Sequence, residues 1–463
     1  MNVSNEIASR IVCLRYDDLP EEAIRAAKVA ILDTLGVALA GSRELAPTIL
    51  GHVLGEGSSS GTSVVFGTMH KMTCFDAALR NGTAAHALDF DDVSDAMGGH
   101  PSAPVLVALF ALGEKINANG HQILNAFVTG FETEIRIAKA VNFHHYNKGW
   151  HPTATLGVFG AAAACARLLD LNEQQVAMAL SLSVSMAAGL KANFGTMAKP
   201  LHVGNCARSG LLAALLASEG FTAALDAFEH KQGFLTVFNG PGTFDTGKIF
   251  DHWADPLEIV SPGVAIKQYP CCASTHAAID ALIQIVHANN IDPESVSKID
   301  AWIHERRLEH TNRPDPQSSM AAKFSLQYCL ARAFMHGKVV LEHFEGQAFR
   351  DSQTRSTMQR VKVAPYTTDQ FDFDNAYGAE VKVTLCDGRV YSAKLDGPLG
   401  QSAANPLPVT ALKLKFESCA GRIFAGDRIL ELQDAVEHLE ELSSIRELTI
   451  LMASSGLSQS NHY

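Results

Sequence analysis

Runs of lysine and arginine are missing from this chain. Its 37 basic residues stand against 49 acidic ones, for a formal charge of −12, and the clustered basic surface needed to grip a nucleic acid or an anionic membrane is absent. Any anionic ligand must therefore be held by a few basic residues placed locally. Long apolar runs are also missing: Val29–Ala40 and Val176–Leu190 are too short, or too interrupted by polar groups, to span a bilayer. Residues Met1 to Arg15 contain no basic segment followed by an apolar one, so no secretory signal is expected. There is no internal repeat and no low-complexity tract. Charged residues amount to only 19% and hydrophobic ones to 47%, a balance that excludes a disordered chain. Nine cysteines, an odd number, fit a reducing compartment. The adjacent Cys271 and Cys272 have the spacing of neither a disulfide nor a zinc site. A soluble cytoplasmic protein is expected, and 463 residues exceed one ordinary core, so two or three domains are too.

Residues 1 to about 260 read as helical. Glu21–Ala40 has apolar residues at helical spacing behind Pro20, and Asn172-Glu-Gln-Gln175 has the pattern of a capping box opening a helix that runs to about Leu190. Thr153–Ala166 and Ser209–Ala217 are crowded with small residues, which let helices approach closely in the centre of a bundle. The character changes near Ser261-Pro-Gly263. Lys298–Ile303 alternates, and Ala379–Cys386 and Arg389–Leu395, joined by Asp387-Gly388, read as a hairpin with a type I′ turn. Helical segments at Ser274–Asn289 and Lys323–Met335 accompany these strands. The expected architecture is mostly α: a large all-helical domain from 1–261 plus 397–463, and a smaller α+β domain with an antiparallel sheet at 262–396.

Chemistry concentrates between His86 and His100, where four carboxylates (Asp89, Asp91, Asp92, Asp95) and two histidines occupy fifteen residues with no lysine or arginine among them. Such a cluster is where perturbed pKa values and acid–base catalysis occur. Gly98-Gly99 allows a sharp turn that returns His100 toward the acids. Extended as a helix, the segment places Asp89 and Asp92 on one face with His86 and turns Asp91 away. Asp92 and Asp95 are equally candidates for capping the helix end or the glycine loop. Mg²⁺ or Mn²⁺ would suit this residue set, but no ligand spacing supports it and no metal is assigned.

Further motifs enter helices. In Gly149-Trp-His151-Pro-Thr153 the proline places His151 just before a helix, near its positive end, with Tyr146 and Lys148 upstream. In Lys199-Pro-Leu-His202 the lysine precedes a proline, which predicts a non-helical backbone there and a role as ion-pair partner or carboxylate clamp; His202 is a packed or a ligand-facing residue. Lys267-Gln-Tyr-Pro-Cys271-Cys272-Ala-Ser-Thr275-His276 leads from an expected strand into a helix, with Ser274 or Thr275 as cap and His276 in the first turn. His310-Thr-Asn-Arg313 and Lys323 add basic residues to the second domain.

Asp89-Phe-Asp-Asp with His100-Pro-Ser-Ala-Pro, Gly149-Trp-His-Pro-Thr, Lys199-Pro-Leu-His-Val-Gly-Asn, Tyr269-Pro-Cys-Cys-Ala-Ser-Thr-His and Ala322-Lys-Phe-Ser occur in one order along the chain. In them the sequence resembles the MmgE/PrpD family, which includes 2-methylcitrate dehydratase, cis-aconitate decarboxylase and iminodisuccinate epimerase. The resemblance implies a helical domain built from both chain ends, an α+β lid, a homodimer, a pocket between the domains and no required cofactor. Carried over position by position, it places active-site roles on Asp89, His100, His151, Lys199 and His276. One departure is His310, where the decarboxylase branch has a tyrosine ahead of its Asn-Arg-Pro; Ala-Lys-Phe-Ser also differs from the methylcitrate dehydratase pattern.

Family substrates are di- or tricarboxylates, and removing a proton α to a carboxylate requires a placed base and cations on the developing charge. His151 and His276 are the acid–base candidates, with Asp89 orienting a partner. Lys199, Arg313 and Lys323 are candidate carboxylate clamps, His100 or Tyr146 the donors to a leaving hydroxyl, and His202 and His310 further substrate contacts. The first reading is a cofactor-independent lyase of the hydratase/dehydratase type. The alternatives are an epimerase of a substituted succinate, a cis-aconitate-type decarboxylase, and a non-catalytic carboxylate-binding dimer.

Overall fold

A computed structural model of the chain describes residues 2–55, 61–372 and 375–454. It divides into two compact units, Met1–Ile266 with Pro408–Tyr463, and Lys267–Leu407. Among the described residues no helix is long and apolar enough to cross a membrane.

The first unit is a helical bundle. Helix Glu21–Gly41 starts after Pro20, and its C-terminal half from Ala30 onward is buried throughout. Helix Ser102–Ile116 is apolar on every side and buried from Ser102 to Glu114, as a central helix must be. Around it stand helices Cys74–Ala87, Gly120–Val141, Gly157–Leu168 and Ala198–Ser218. Small residues set their separations. A Cβ on Gly82 would lie 2.8 Å from the Cα of Gly204, and one on Gly204 would overlap the carbonyl of Leu79. Helices Cys74–Ala87 and Ala198–Ser218 therefore touch backbone to backbone. The C-terminal segment rejoins this unit through helix Val409–Ala420, whose Phe416 fills the space at Gly36 and whose Lys415 meets the buried Asp33 at 2.5 Å.

Two expected helices end or break early. The capping box at Asn172 and Gln175 forms, but its helix stops at Val184. The Ser183 hydroxyl turns back to the Leu180 carbonyl (2.7 Å), and Gly189 at φ 138° redirects the chain. The segment from Thr153 divides at Leu156 into Pro152–Thr155 and Gly157–Leu168.

The second unit carries a four-stranded sheet in the order Val361–Pro365, Val296–Ile303, Ala379–Leu385, Val390–Leu395. Ala379–Leu385 alternates buried and half-buried residues, and its inner face packs with helices His276–Asn289 and Leu326–His336 in one core. The sheet is mixed, not wholly antiparallel: Val361–Pro365 runs parallel to Val296–Ile303. A parallel partner needs a long crossover, here the helical stretch between the two strands, and leaves no hairpin signature in the sequence. The hairpin turn also differs from type I′. Only Gly388 has positive φ (89°), and its N–H donates to the Leu385 carbonyl (3.1 Å), giving a three-residue loop closed by a left-handed glycine.

Candidate active site

Helix Cys74–Ala87 ends one residue before Leu88, and Asp89 takes the left-handed conformation at φ 54°, which aspartate tolerates better than most side chains. This reversal overturns the helical projection. Asp91 folds back onto His86, its Oδ2 2.8 Å from Nδ1. Asp92, projected onto the His86 face, instead accepts from the backbone N–H (3.3 Å) and the hydroxyl of Ser102, at the start of helix Ser102–Ile116. Capping is thus the role of Asp92. Asp95 is exposed, and its carbonyl accepts from the Gly98 N–H at 3.2 Å. Gly98, at φ 63°, closes a turn bridged between Ser94 and Gly99. His100 thereby returns to the acids, with Nδ1 3.3 Å from Asp91 Oδ2 and Nε2 3.5 Å from Asp89 Oδ1.

Lys199 approaches from a second direction. It lies inside the first turn of helix Ala198–Ser218 and not in extended backbone, because Pro200 sits where a helix has unpaired N–H groups to lose. Its Nζ is 2.6 Å from Asp89 Oδ1, and the residue is 6% exposed. His151 precedes helix Pro152–Thr155, donates its N–H to the Gly189 carbonyl (3.1 Å), and lays its ring 5.6 Å from that of His86. Its Nδ1 faces Nδ1 of His202 at 3.2 Å, with the Phe194 ring edge-on at 4.9 Å. Asp89, His100, His151, Lys199 and His202 thus converge within the first unit. Tyr146 stands at the Gly98 turn, its ring covered by the Lys191 ammonium 3.4 Å from the centroid. His86 and Asp91 complete the cluster and are absent from the sequence-derived candidates. His86 was legible as part of the motif; Asp91 was not, because its position depends on the reversal at Asp89.

The environment sorts these groups by charge. Burial pushes His86 down to about 4 against the opposing pull of Asp91. Burial alone would raise the Asp91 carboxyl, but the rings of His100 and His86 outweigh it and hold it well below the usual carboxylate range. An ionised Asp91 can only accept, so His86 carries its proton on Nδ1 and leaves Nε2 bare. Burial first, then the neighbouring His86 ring and the Lys199 ammonium, press His151 well below the usual imidazole range, and His202 is lowered by burial and Lys199. Beneath the site, burial pushes the carboxyls of Asp92 and Glu134 well above the usual carboxylate range. His86, Asp89, Asp91 and His100 present donor atoms within 4.8 Å of one another, a set that could hold a cation. The Lys199 ammonium already supplies positive charge at Asp89.

In the second unit His276 opens helix His276–Asn289, buried, with Nε2 3.3 Å from the Cys271 carbonyl and its ring 5.2 Å from that of Tyr269. No strand precedes it, and neither expected cap forms. Thr275 donates to the Cys272 carbonyl (2.8 Å), while Ser274 Oγ meets His310 Nε2 (3.1 Å) and accepts from Arg307 (3.2 Å). His310 and Arg313 are exposed, and the Arg313 Nε donates to the His310 carbonyl at 3.2 Å. Lys323 is buried, its carbonyl accepting from the Cys272 N–H at 2.9 Å. The Cys271–Thr275 turn is thus linked to His276, His310 and Lys323.

A helical bundle holding buried carboxylates, neutral imidazoles and a lysine ammonium in one cluster defines a centre suited to proton transfer on an anionic ligand. The chain belongs to the MmgE/PrpD family: the MmgE/PrpD N-terminal domain matches residues 5–246 and the MmgE/PrpD C-terminal domain residues 269–441. It is 29% identical to the cis-aconitate decarboxylase of Mus musculus over 97% of this chain and 93% of that one. The human cis-aconitate decarboxylase is 29% identical over 97% and 94% of the two chains. That of Aspergillus terreus (strain NIH 2624 / FGSC A1156) is 29% identical over 97% and 96%.

Proposed function

We propose that the protein is a cofactor-independent lyase of a small di- or tricarboxylate, of the hydratase/dehydratase type, working by proton transfer at a carbon α to a carboxylate. The observation that carries this reading is His151: a buried neutral imidazole, with no hydrogen-bond partner at Nε2, in one cluster with the Lys199–Asp89 ion pair. A neutral imidazole takes a proton where an imidazolium cannot. Lys199 provides the cation that an enediolate demands, and low solvent access strengthens that attraction. His100, set between Asp89 and Asp91, delivers a proton to the leaving hydroxyl. The acid chain as a whole repels polyanions, so a few placed cations select the ligand.

A second reading, decarboxylation, is favoured by the relatives named above. It uses the same groups differently: CO₂ leaves, and His151 or His100 returns a proton to the carbanion carbon. Proton NMR in D₂O separates the two. The purified protein is incubated with citrate, 2-methylcitrate, cis-aconitate and iminodisuccinate in turn. Olefinic signals from citrate or 2-methylcitrate support the dehydratase, and itaconate from cis-aconitate supports the decarboxylase. Loss of the Cα–H signal with interconversion of stereoisomers of iminodisuccinate identifies an epimerase and refutes both.

A further inference from the structure

We propose that His151 and His202 form a two-histidine proton relay that converts His151 between base and acid and passes protons between the buried site and solvent. This rests on the proton-transfer role given to His151 above. The two Nδ1 atoms are 3.2 Å apart. A hydrogen bond between them requires one N–H and one lone pair, so the rings hold opposite tautomers. Gly189 lies against both residues: at φ 138°, a Cβ there would lie 3.1 Å from Ala154 Cβ and 3.5 Å from both His151 Cβ and His202 Cγ. The pair is also graded from inside to outside. His151 is 2% exposed with a buried Nε2 that has no partner, whereas His202 is only half-buried. Lys199 disfavours a second positive charge on either ring.

The relay has two resting states. In the first, His151 carries its proton on Nδ1 and donates it to His202, which leaves Nε2 bare as a base. When Nε2 takes the substrate proton, the Nδ1 proton crosses to His202 Nδ1, and the proton on His202 Nε2 leaves to water. The N–H bonds formed at His151 Nε2 and His202 Nδ1 match those broken at His151 Nδ1 and His202 Nε2. Neither ring has to remain an imidazolium. In the second state His151 holds Nε2–H and is an acid, and proton delivery runs the same steps in reverse.

The test has two arms. In ¹⁵N-histidine-labelled wild-type protein, long-range ¹H–¹⁵N spectra assigned with His202→Ala should show one proton shared between the two Nδ1 atoms. Two unprotonated Nδ1 signals would overturn the relay. In the kinetic arm, His202→Ala and His202→Gln should each lower kcat by roughly 10- to 100-fold with KM within about twofold, and added imidazole should restore only His202→Ala. Glutamine can hold a hydrogen bond in place but cannot pass a proton through itself. A His202→Gln enzyme at the wild-type rate would therefore make His202 structural and end the proposal. If wild-type protein turns over none of the carboxylates, the proposed lyase function fails, and the spectra still decide the pair.

Discussion

Replacing Lys199 by methionine removes the positive half of a buried ion pair while keeping the length of the side chain. Lys199 and Asp89 are 2.6 Å apart, with side chains 8% and 7% exposed. Stripping one partner from such a pair leaves a buried charge uncompensated and costs about 3–5 kcal/mol. His100, 3.5 Å from the same carboxylate oxygen, retains part of the compensation, which places the expected cost near the low end. For a unit of roughly 320 residues with an unfolding entropy of about 2 cal/mol/K per residue, a loss of ~3 kcal/mol lowers Tm by about 4–5 °C. Scanning calorimetry at one fixed scan rate near neutral pH reads this directly. The informative comparison is the double variant Lys199→Met with Asp89→Asn, in which no charge is stranded and Tm should recover most of the loss. Turnover should stay low in both, because both lack the cation at the site. If the single and double variants melt at the same temperature, the pair carries no coupling and the electrostatic account of this site is wrong.

The two neighbouring aspartates should part company. Asp91→Asn, which loosens both His86 and His100, should lower kcat by roughly 100-fold. Asp92→Asn should leave turnover within a few-fold and stability within about 1 kcal/mol, since burial pushes that carboxyl well up and its partner is the Ser102 cap, not His86 or His100; equal losses at both positions would refute the assignment. Gly204→Ala should destabilise by ~1–3 kcal/mol through overlap with the Leu79 carbonyl. It should also lower activity by shifting the Lys199 helix against the His86 helix, and a near-wild-type melting curve would contradict the close packing. Acid should weaken the fold as buried histidines are forced to take up protons. Burial holds His86 and His145 down to about 4, below the ordinary imidazole value. Their contribution is complete above about pH 6.5 and is lost as pH falls toward 4, by up to ~3 kcal/mol each. Melting temperatures measured from pH 7 to 4.5 should fall accordingly, and His145→Gln should flatten the slope; an unchanged slope would show that His145 is not buried as a neutral ring.

Much of this protein is local and was legible along the chain. Helical periodicity and the Asn172–Gln175 cap mark the first unit, and strict alternation marks Ala379–Leu385, because these patterns depend only on neighbours in sequence. The residue types at Asp89, His100, His151 and Lys199 likewise announce acid–base chemistry before any fold is known. The parallel strand Val361–Pro365 was not legible, since its partner lies far away in sequence and no turn residue records the pairing. Nor was the choice between Asp91 and Asp92. A helix projection extends the last regular turn, but the chain reverses at Asp89 and again at Gly98, and two backbone torsions exchange which carboxylate faces His86. Lys199 reaches Asp89 only because Gly82 and Gly204 let two helices meet backbone to backbone. The sequence by itself determined most of the helices, the hairpin strands and which chemistry is at hand. The tertiary structure alone decided which groups meet, because an ion pair across 110 positions is set by helix packing and chain reversal, which no local pattern records.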